Sequence, residues 1–414
     1  MKGEPVMDDM SGLLVGAYER DNFGDILFLT RTRAYLGPHG GIATAPFPGD
    51  TTDVGGEPVA SYTQFLDQAQ QFIWTVGGEV GGTSLEQAAS MSSAPIPENV
   101  PSFASPYIIR PSRYAALASA RMIVNSAGVS GASRLVGRHK IETWAAFREA
   151  DFVSVRDRNS VSFLRQIGVA AEFAPDLVQT RALEHDYDFD KPDTVALVQL
   201  KEKFIRQVGV SELAALLLQT EALRRYRIRF FSAGEASGHD STHLLGEVSE
   251  ALNRQAGSIR SDVSNASTAE EKVAEIATAS LWIGTSLHGY ILSTAFAVPR
   301  VALLLAKIEE YAASWEIPYP TNVSLTDLSS AIVQAEALAN SAKDVKKANE
   351  LAKLADTNMK RAVSIALEPA KVARTGQTTE RALARVNLVT PLIDTAAARV
   401  RGAIAKVSRR GSAR

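Results

Sequence analysis

Four short clusters of polar residues and glycines carry the chemistry available to this sequence. The strongest is Gly284-Thr285-Ser286-Leu287-His288-Gly289. It lies between an apolar run at 281–284 and a helix-periodic stretch at 290–296, so it reads as a strand-to-helix turn. Free backbone N–H groups at a helix start attract anions. Thr285 and Ser286 add hydroxyls, and His288 adds an imidazole able to donate a proton near neutral pH. Lys307, beyond the next strand, is placed to converge on the same spot. The second cluster is Val155-Arg156-Asp157-Arg158-Asn159-Ser160. Arg156 stands at the carboxyl end of a strand, where ligands collect in α/β sheets. Its fork of donors matches a carboxylate or phosphate, although a structural pair with Asp157 or Asp176 is the competing reading. Ser160 or Asn159 is expected to cap the helix that follows.

The third cluster is Asn22-Phe23-Gly24-Asp25. Gly24 permits a tight turn or a close approach to a ligand. Asp25 either complements a helix dipole or faces a ligand and orients or deprotonates an acceptor hydroxyl. The fourth is Gly77-Gly78-Glu79-Val80-Gly81-Gly82, which lets backbone approach a ligand but matches neither the dinucleotide fingerprint nor a P-loop. His239-Asp240 is a further polar pair expected at the same edge.

The elements that must position these clusters alternate. Strands are expected at 13–15, 71–76, 122–125 and 152–155, with helices at 26–35 and 160–166. After a polar, acidic stretch at 184–192 the pattern restarts, with strands at 195–200, 228–232, 281–284 and 301–305. Helices are expected there at 212–225, 270–279 and 290–296. The alternation predicts an α/β protein with parallel sheets covered on both faces. Residues 1–183 and 193–340 read as two Rossmann-like domains with a cleft between them. Residues 341–414 carry sixteen Lys and Arg against six Asp and Glu. They read as a solvated, basic helical extension interrupted near 369–376. The amphipathic character of 388–410 also fits contact with anionic lipid.

Length and composition bound the rest. A chain of 414 residues fits two domains and an appendage, and 45% apolar against 22% charged residues is ordinary for a globular protein. A net charge of −2 gives no electrostatic footprint for nucleic acid. With no cysteine there is no disulfide, thiolate metal site or cysteine nucleophile, and no metal-ligand spacing stands out. The polar N-terminus does not resemble a signal peptide, so a cytoplasmic location is expected, with the membrane's inner face reachable through the tail.

Taken in order, the N-x-G-D loop at Asn22–Asp25, the glycines at Gly77 and the V-R-D-x-x-S run at Val155–Ser160 resemble the polysaccharide pyruvyl transferase family. Leu164, Gly168-Val169 and Pro175-Asp176 follow that run in step. The S-L-H-G run at Ser286–Gly289, with Ala295, Val298-Pro299 and Lys307 behind it, extends the resemblance over roughly residues 12–335. The resemblance implies two Rossmann-like domains of glycosyltransferase type B. It implies phosphoenolpyruvate as co-substrate, no other cofactor, and a sugar acceptor, lipid-linked or polymeric, on which a pyruvate ketal is built. It marks Asp25 and His288 as catalytic. Arg156 and Lys307 are marked as substrate-binding, and by their own positions Ser286, Thr285, Asn22, Gly24, Gly77, Gly78 and His239 are expected to join them. Many members carry Arg where this chain has Ser286. A nucleotide-sugar glycosyltransferase and a non-catalytic glycan-binding protein are the alternative readings.

Overall fold

The structure, a computed structural model, describes residues 12–97, 100, 105–184, 194–255, 260–339, 342–369 and 373–374. The acidic stretch read as a linker and the amphipathic end of the tail lie outside these residues, Glu184 excepted.

The described residues form an α/β structure with two sheets. The first contains β1 (Gly12–Val15), β2 (Ile42–Ala45), β3 (Gly49–Asp50), β4 (Pro58–Ser61), β5 (Phe72–Val76), β6 (Arg121–Ala127), β7 (Phe152–Val155) and β8 (Glu172–Phe173). Their order is β3-β4-β2-β1-β5-β6-β7-β8, and every pair is parallel except β3 with β4. The second sheet contains β9 (Val195–Gln199), β10 (Arg227–Phe230), β11 (Ser261–Val263), β12 (Leu281–Gly284) and β13 (Arg300–Ala302). It is wholly parallel, in the order β11-β10-β9-β12-β13.

The strands are apolar on both faces because both faces are covered. Leu13 and Val15 pack into one core and Leu14 into another, and Ile73 alternates with Phe72 and Trp74 in the same way. The second core also takes in the whole interior of the second sheet, so apolar packing is continuous from one sheet to the other. Among the parallel strands of each sheet the order reverses direction between β1 and β5 and between β9 and β12. Crevices form at the carboxyl ends of strands at such reversals.

Several expected elements shift. The helix expected at 212–225 is a helix, Val210–Gln219, followed by a 3-10 turn, Glu221–Arg225, with Thr220 extended between them. The cap of the helix Arg158–Gln166 is Asp157, which accepts from Ser160 N at 2.7 Å and Ser160 Oγ at 2.9 Å. Ser160 is therefore a donor to the cap and not the cap, since its Oγ accepts from Val129 N and Ser130 N in the loop after β6.

The largest correction concerns the tail. The helix Ala342–Ala366 is not a solvated appendage. Ala348, Leu351, Ala352, Ala355, Met359, Ala362 and Ala366 are fully buried. Their spacing of three and four forms one stripe along the helix. Small side chains let the helix lie close to β6 and to the 3-10 segment Leu177–Glu184. Its start is held by the second sheet: Arg300, fully buried after Pro299, reaches Asp344 at 3.4 Å and lies 3.7 Å above the Tyr319 ring. Its later turns are held by the first: Asn358 Nδ2 donates to Asn125 Oδ1 at 2.7 Å, and Tyr35 OH to Asp356 at 2.8 Å. The helix is a strap across both sheets.

A chain ending at residue 340 should therefore lose cooperative unfolding or solubility, whereas one ending at 374 should keep both. Urea titration followed by circular dichroism checks this, and a cooperatively folded 1–340 chain would refute the strap.

Candidate functional site

The carboxyl edges of both sheets meet at one cleft of about 230 Å³. From the first sheet come Asn22 and Asp25 after β1, Gly77, Gly78 and Glu79 after β5, and Arg156 after β7. From the second come Gln199 and Lys201 after β9, His239 and Asp240 after β10, Thr285, Ser286 and His288 after β12, and Lys307 after β13. The cleft thus gathers every expected site residue except Gly24.

Gly24 has a different place. A Cβ there would lie 1.8 Å from His288 Nδ1, so the imidazole fills the space a side chain would need. His288 also meets the edges of Phe28 and Phe23, at centroid distances of 4.9 and 6.3 Å. The helix that bears His288 is Leu287–Ala295, three residues earlier than the sequence suggests, so His288 belongs to its first turn. Ser286 is the N-cap and accepts from Gly289 N at 3.2 Å. Thr285 is also committed: its Oγ1 accepts from Lys201 N at 3.1 Å and lies 3.2 Å from Gln199 Oε1. Both hydroxyls line the cleft while holding its wall.

Arg156 is buried and joins Asp176 through Nη1 at 2.7 Å, as the structural reading of this residue expects. It nevertheless lines the cleft, and its guanidinium lies 5.9 Å from the Phe28 ring that His288 also touches. Asp176 thus fixes one arm of the fork. Glu79 is fixed by the glycines around it. Val80 N donates to Gly128 O and Gly128 N to Gly78 O, and the Glu79 carboxylate fills the space beside Gly128 and Gly131. Gly77 and Gly78 have φ of +58° and +77°, a turn that residues with a Cβ rarely adopt.

Asp25 is in the first turn of the helix Phe23–Leu36, behind the Asn22 cap, and is 3.7 Å from Arg20. Arg20 in turn contacts Tyr107 OH at 3.2 Å, and Tyr107 OH donates to the buried Glu19 at 2.8 Å. Burial is the main force on Asp25; opposed by Arg20, it leaves the carboxyl pushed up to about 6. Asp240 is also pushed up to about 6 by burial, although Gln199 Nε2 and Ala233 N donate to it.

The bases show the opposite sign. Burial, then Arg156, Lys307, His239 and Lys201, hold His288 well below the ordinary histidine value. That direction favours a neutral ring, and among the described residues its buried Nε2 has no hydrogen-bond partner. Burial and then Lys201 bring Lys307 down to about 8, although part of its side chain remains open to solvent. His239 is lowered to about 3 by burial, then Lys201, Arg20 and Lys307.

Lys201, Gln199, Arg20 and Tyr107 are cleft residues that the sequence clusters do not mark, and Glu79 was in a cluster without a role of its own. Lys201 had a signal, being a cation just past a strand end. Tyr107 and Arg20 had none, because a loop distant from β1 brings Tyr107 in. Among the described residues, no three His, Asp or Glu side chains converge as metal ligands, and no helix is long and apolar enough to cross a membrane.

A histidine-selective NMR titration of the ligand-free protein should find the His288 ring neutral down to a pH of about 6, where an ordinary histidine is largely protonated. A step at the usual 6.5 would contradict the cation-rich cleft.

Comparison with known proteins adds to this geometry. No curated protein matches the chain significantly. Among solved structures, a putative UDP-N-acetylglucosamine 2-epimerase from Listeria monocytogenes is 10% identical. That match covers 86% of this chain and 94% of the other, with a TM-score of 0.47. An α-glucosyltransferase in complex with UDP and DNA is 9% identical over 86% and 99%, with a TM-score of 0.46. UDP-GlcNAc 2-epimerase from Neisseria meningitidis is 9% identical over 84% and 99%, with a TM-score of 0.43. The family model described as polysaccharide pyruvyl transferase matches residues 96–304, half of the chain, including Arg156, Lys201, His239 and the run at His288. With that match, the chain belongs to the polysaccharide pyruvyl transferase family.

Proposed function

We propose that this chain transfers the pyruvyl group of phosphoenolpyruvate to two hydroxyls of one sugar, forming a cyclic ketal on a cell-surface glycan or its lipid-linked precursor. The observation that carries the reading is the convergence of Arg156, Lys307 and the neutral His288 on one cleft at the two strand-order reversals. The donor brings a carboxylate and a phosphate, and a cleft lined with cations and a helix N-terminus suits both. In this reading the two sheets are Rossmann-like units of glycosyltransferase type B. The first offers the acceptor side and the second the donor side, and the reaction takes place in the cytoplasm where the donor is made.

The chemistry follows from the charges. An arriving trianion reverses the field that holds His288 neutral and so favours the imidazolium. The proton is loaded as the donor binds. Transfer of a proton to carbon 3 leaves carbon 2 cationic, and a sugar hydroxyl attacks carbon 2. The bond from carbon 2 to the phosphate oxygen breaks, and a second hydroxyl of the same sugar closes the ring. Of the two protons shed by the hydroxyls, one leaves with phosphate and one replaces the proton given to carbon 3. Asp25, largely ionised at neutral pH with a value of about 6, accepts from the attacking hydroxyl. Arg20 beside it keeps that carboxylate available. No cofactor enters these steps.

His288→Ala should reduce phosphate release from phosphoenolpyruvate by about 100-fold or more, the scale of lost acid–base catalysis, while thermal unfolding stays near that of the parent. The assay pairs phosphate release with mass spectrometry of a glycan panel, seeking the gain of one pyruvyl unit. Near-parental turnover in this variant, or protection of the protein by a uridine nucleotide and not by phosphoenolpyruvate, would end the reading.

A further inference from the structure

We propose that Lys201 and Lys307 together form a seat for a phosphate dianion, with Lys201 setting the preference for a phosphorylated three-carbon acid over an unphosphorylated one. The inference deepens the donor assignment above and rests on it for the identity of the natural ligand.

Lys201 lies two residues beyond β9, on the second sheet's strand-order reversal. Its backbone is held in place: Lys201 N donates to Thr285 Oγ1 at 3.1 Å, Gln199 Oε1 accepts from Thr285 N at 2.9 Å, and Gln199 Nε2 donates to Asp240 at 2.8 Å. Three neighbouring strands thus fix Lys201 beside the first turn of the helix that bears His288. Lys201 precedes the helix Glu202–Val208 as its N-cap residue, but its side chain makes no capping bond. That side chain lines the cleft with Lys307.

Neither ammonium has a salt-bridge partner within 4.0 Å among the described residues, whereas Arg20, Arg156 and Lys272 around the cleft each have one. Glu79 and Asp25 act on Lys307 only from longer range. Lys201 is the strongest charge acting on Lys307 and also acts on His239 and His288. Two like charges lining one cleft oppose each other. A bound anion removes that cost, and a dianion removes it for both lysines. Arg156 has already given Nη1 to Asp176, so its remaining donors suit the single charge of a carboxylate. The division leaves the phosphate to the two lysines, each a compact and rotatable cation.

Calorimetry on the full chain with inorganic phosphate, and separately with pyruvate, tests the seat. Lys201→Met should weaken phosphate binding about tenfold or more, the scale of one charge-assisted contact. It should leave pyruvate binding unchanged and raise the KM for phosphoenolpyruvate more than it lowers kcat. Lys201→Arg should restore most of the phosphate affinity, and Lys203→Met, an exposed control, should change nothing. Parental phosphate binding in Lys201→Met, an equal loss for pyruvate, or no phosphate binding by the unaltered protein would overturn the seat. These outcomes need no acceptor. A protein that binds phosphate through Lys201 but never consumes phosphoenolpyruvate would retain the seat and lose the transfer reaction.

Discussion

Positive charge only partly matched by counter-charge, held where two sheets meet, is the constraint on which the rest of this structure depends. Lys201 and Lys307 come from the second sheet and Arg156 from the first. Arg156 is buried and Lys201 partly so, while Lys307 keeps an exposed flank at the cleft mouth. Burial and then their mutual repulsion bring Lys307 down to about 8 and hold His288 well below the ordinary histidine value. Such an arrangement destabilises the empty protein slightly and favours a polyanion strongly. The apolar cores supply the stability that tolerates it, and the continuous packing between the sheets keeps the charges from drifting apart.

The scaffold serves that arrangement in detail. Asp176 fixes one arm of Arg156, the cap at Ser286 sets the first turn that carries His288, and Gly24 leaves the imidazole its only room. The helix Ala342–Ala366 bonds to the second sheet at one end and the first at the other, so the relative placement of the two cleft walls is tied to one element. A stripe of alanines gives that helix close contact without large side chains.

The sequence made the site more legible than the fold. Strand ends and glycines are local signals, and the run at Gly284–Gly289, Arg156, Asp25 and Lys307 all reach the cleft as the alternation of elements implies. Short strands such as β2, Ile42–Ala45, and the edge strand β8, Glu172–Phe173, were not legible, because two to four residues of mixed polarity carry no period. The tail misled for a related reason. A buried stripe made mostly of alanine is only weakly apolar and holds no aromatic, so its lysine-rich outer face dominated the reading. Arg20 and Tyr107 depend on which loops meet in space, and no spacing along the chain encodes that. The charge on His288 was also hidden, since it is set by Arg156 and Lys307, distant in sequence.

The most direct test is calorimetric titration with phosphoenolpyruvate near pH 8 in two buffers that differ in ionisation enthalpy. At this pH the donor is already fully ionised, while Lys307 is partly deprotonated and His288 is neutral. A trianion seated among these groups must raise the proton affinity of both, so the account predicts net proton uptake on binding. Binding with no proton uptake, or with proton release, would contradict it.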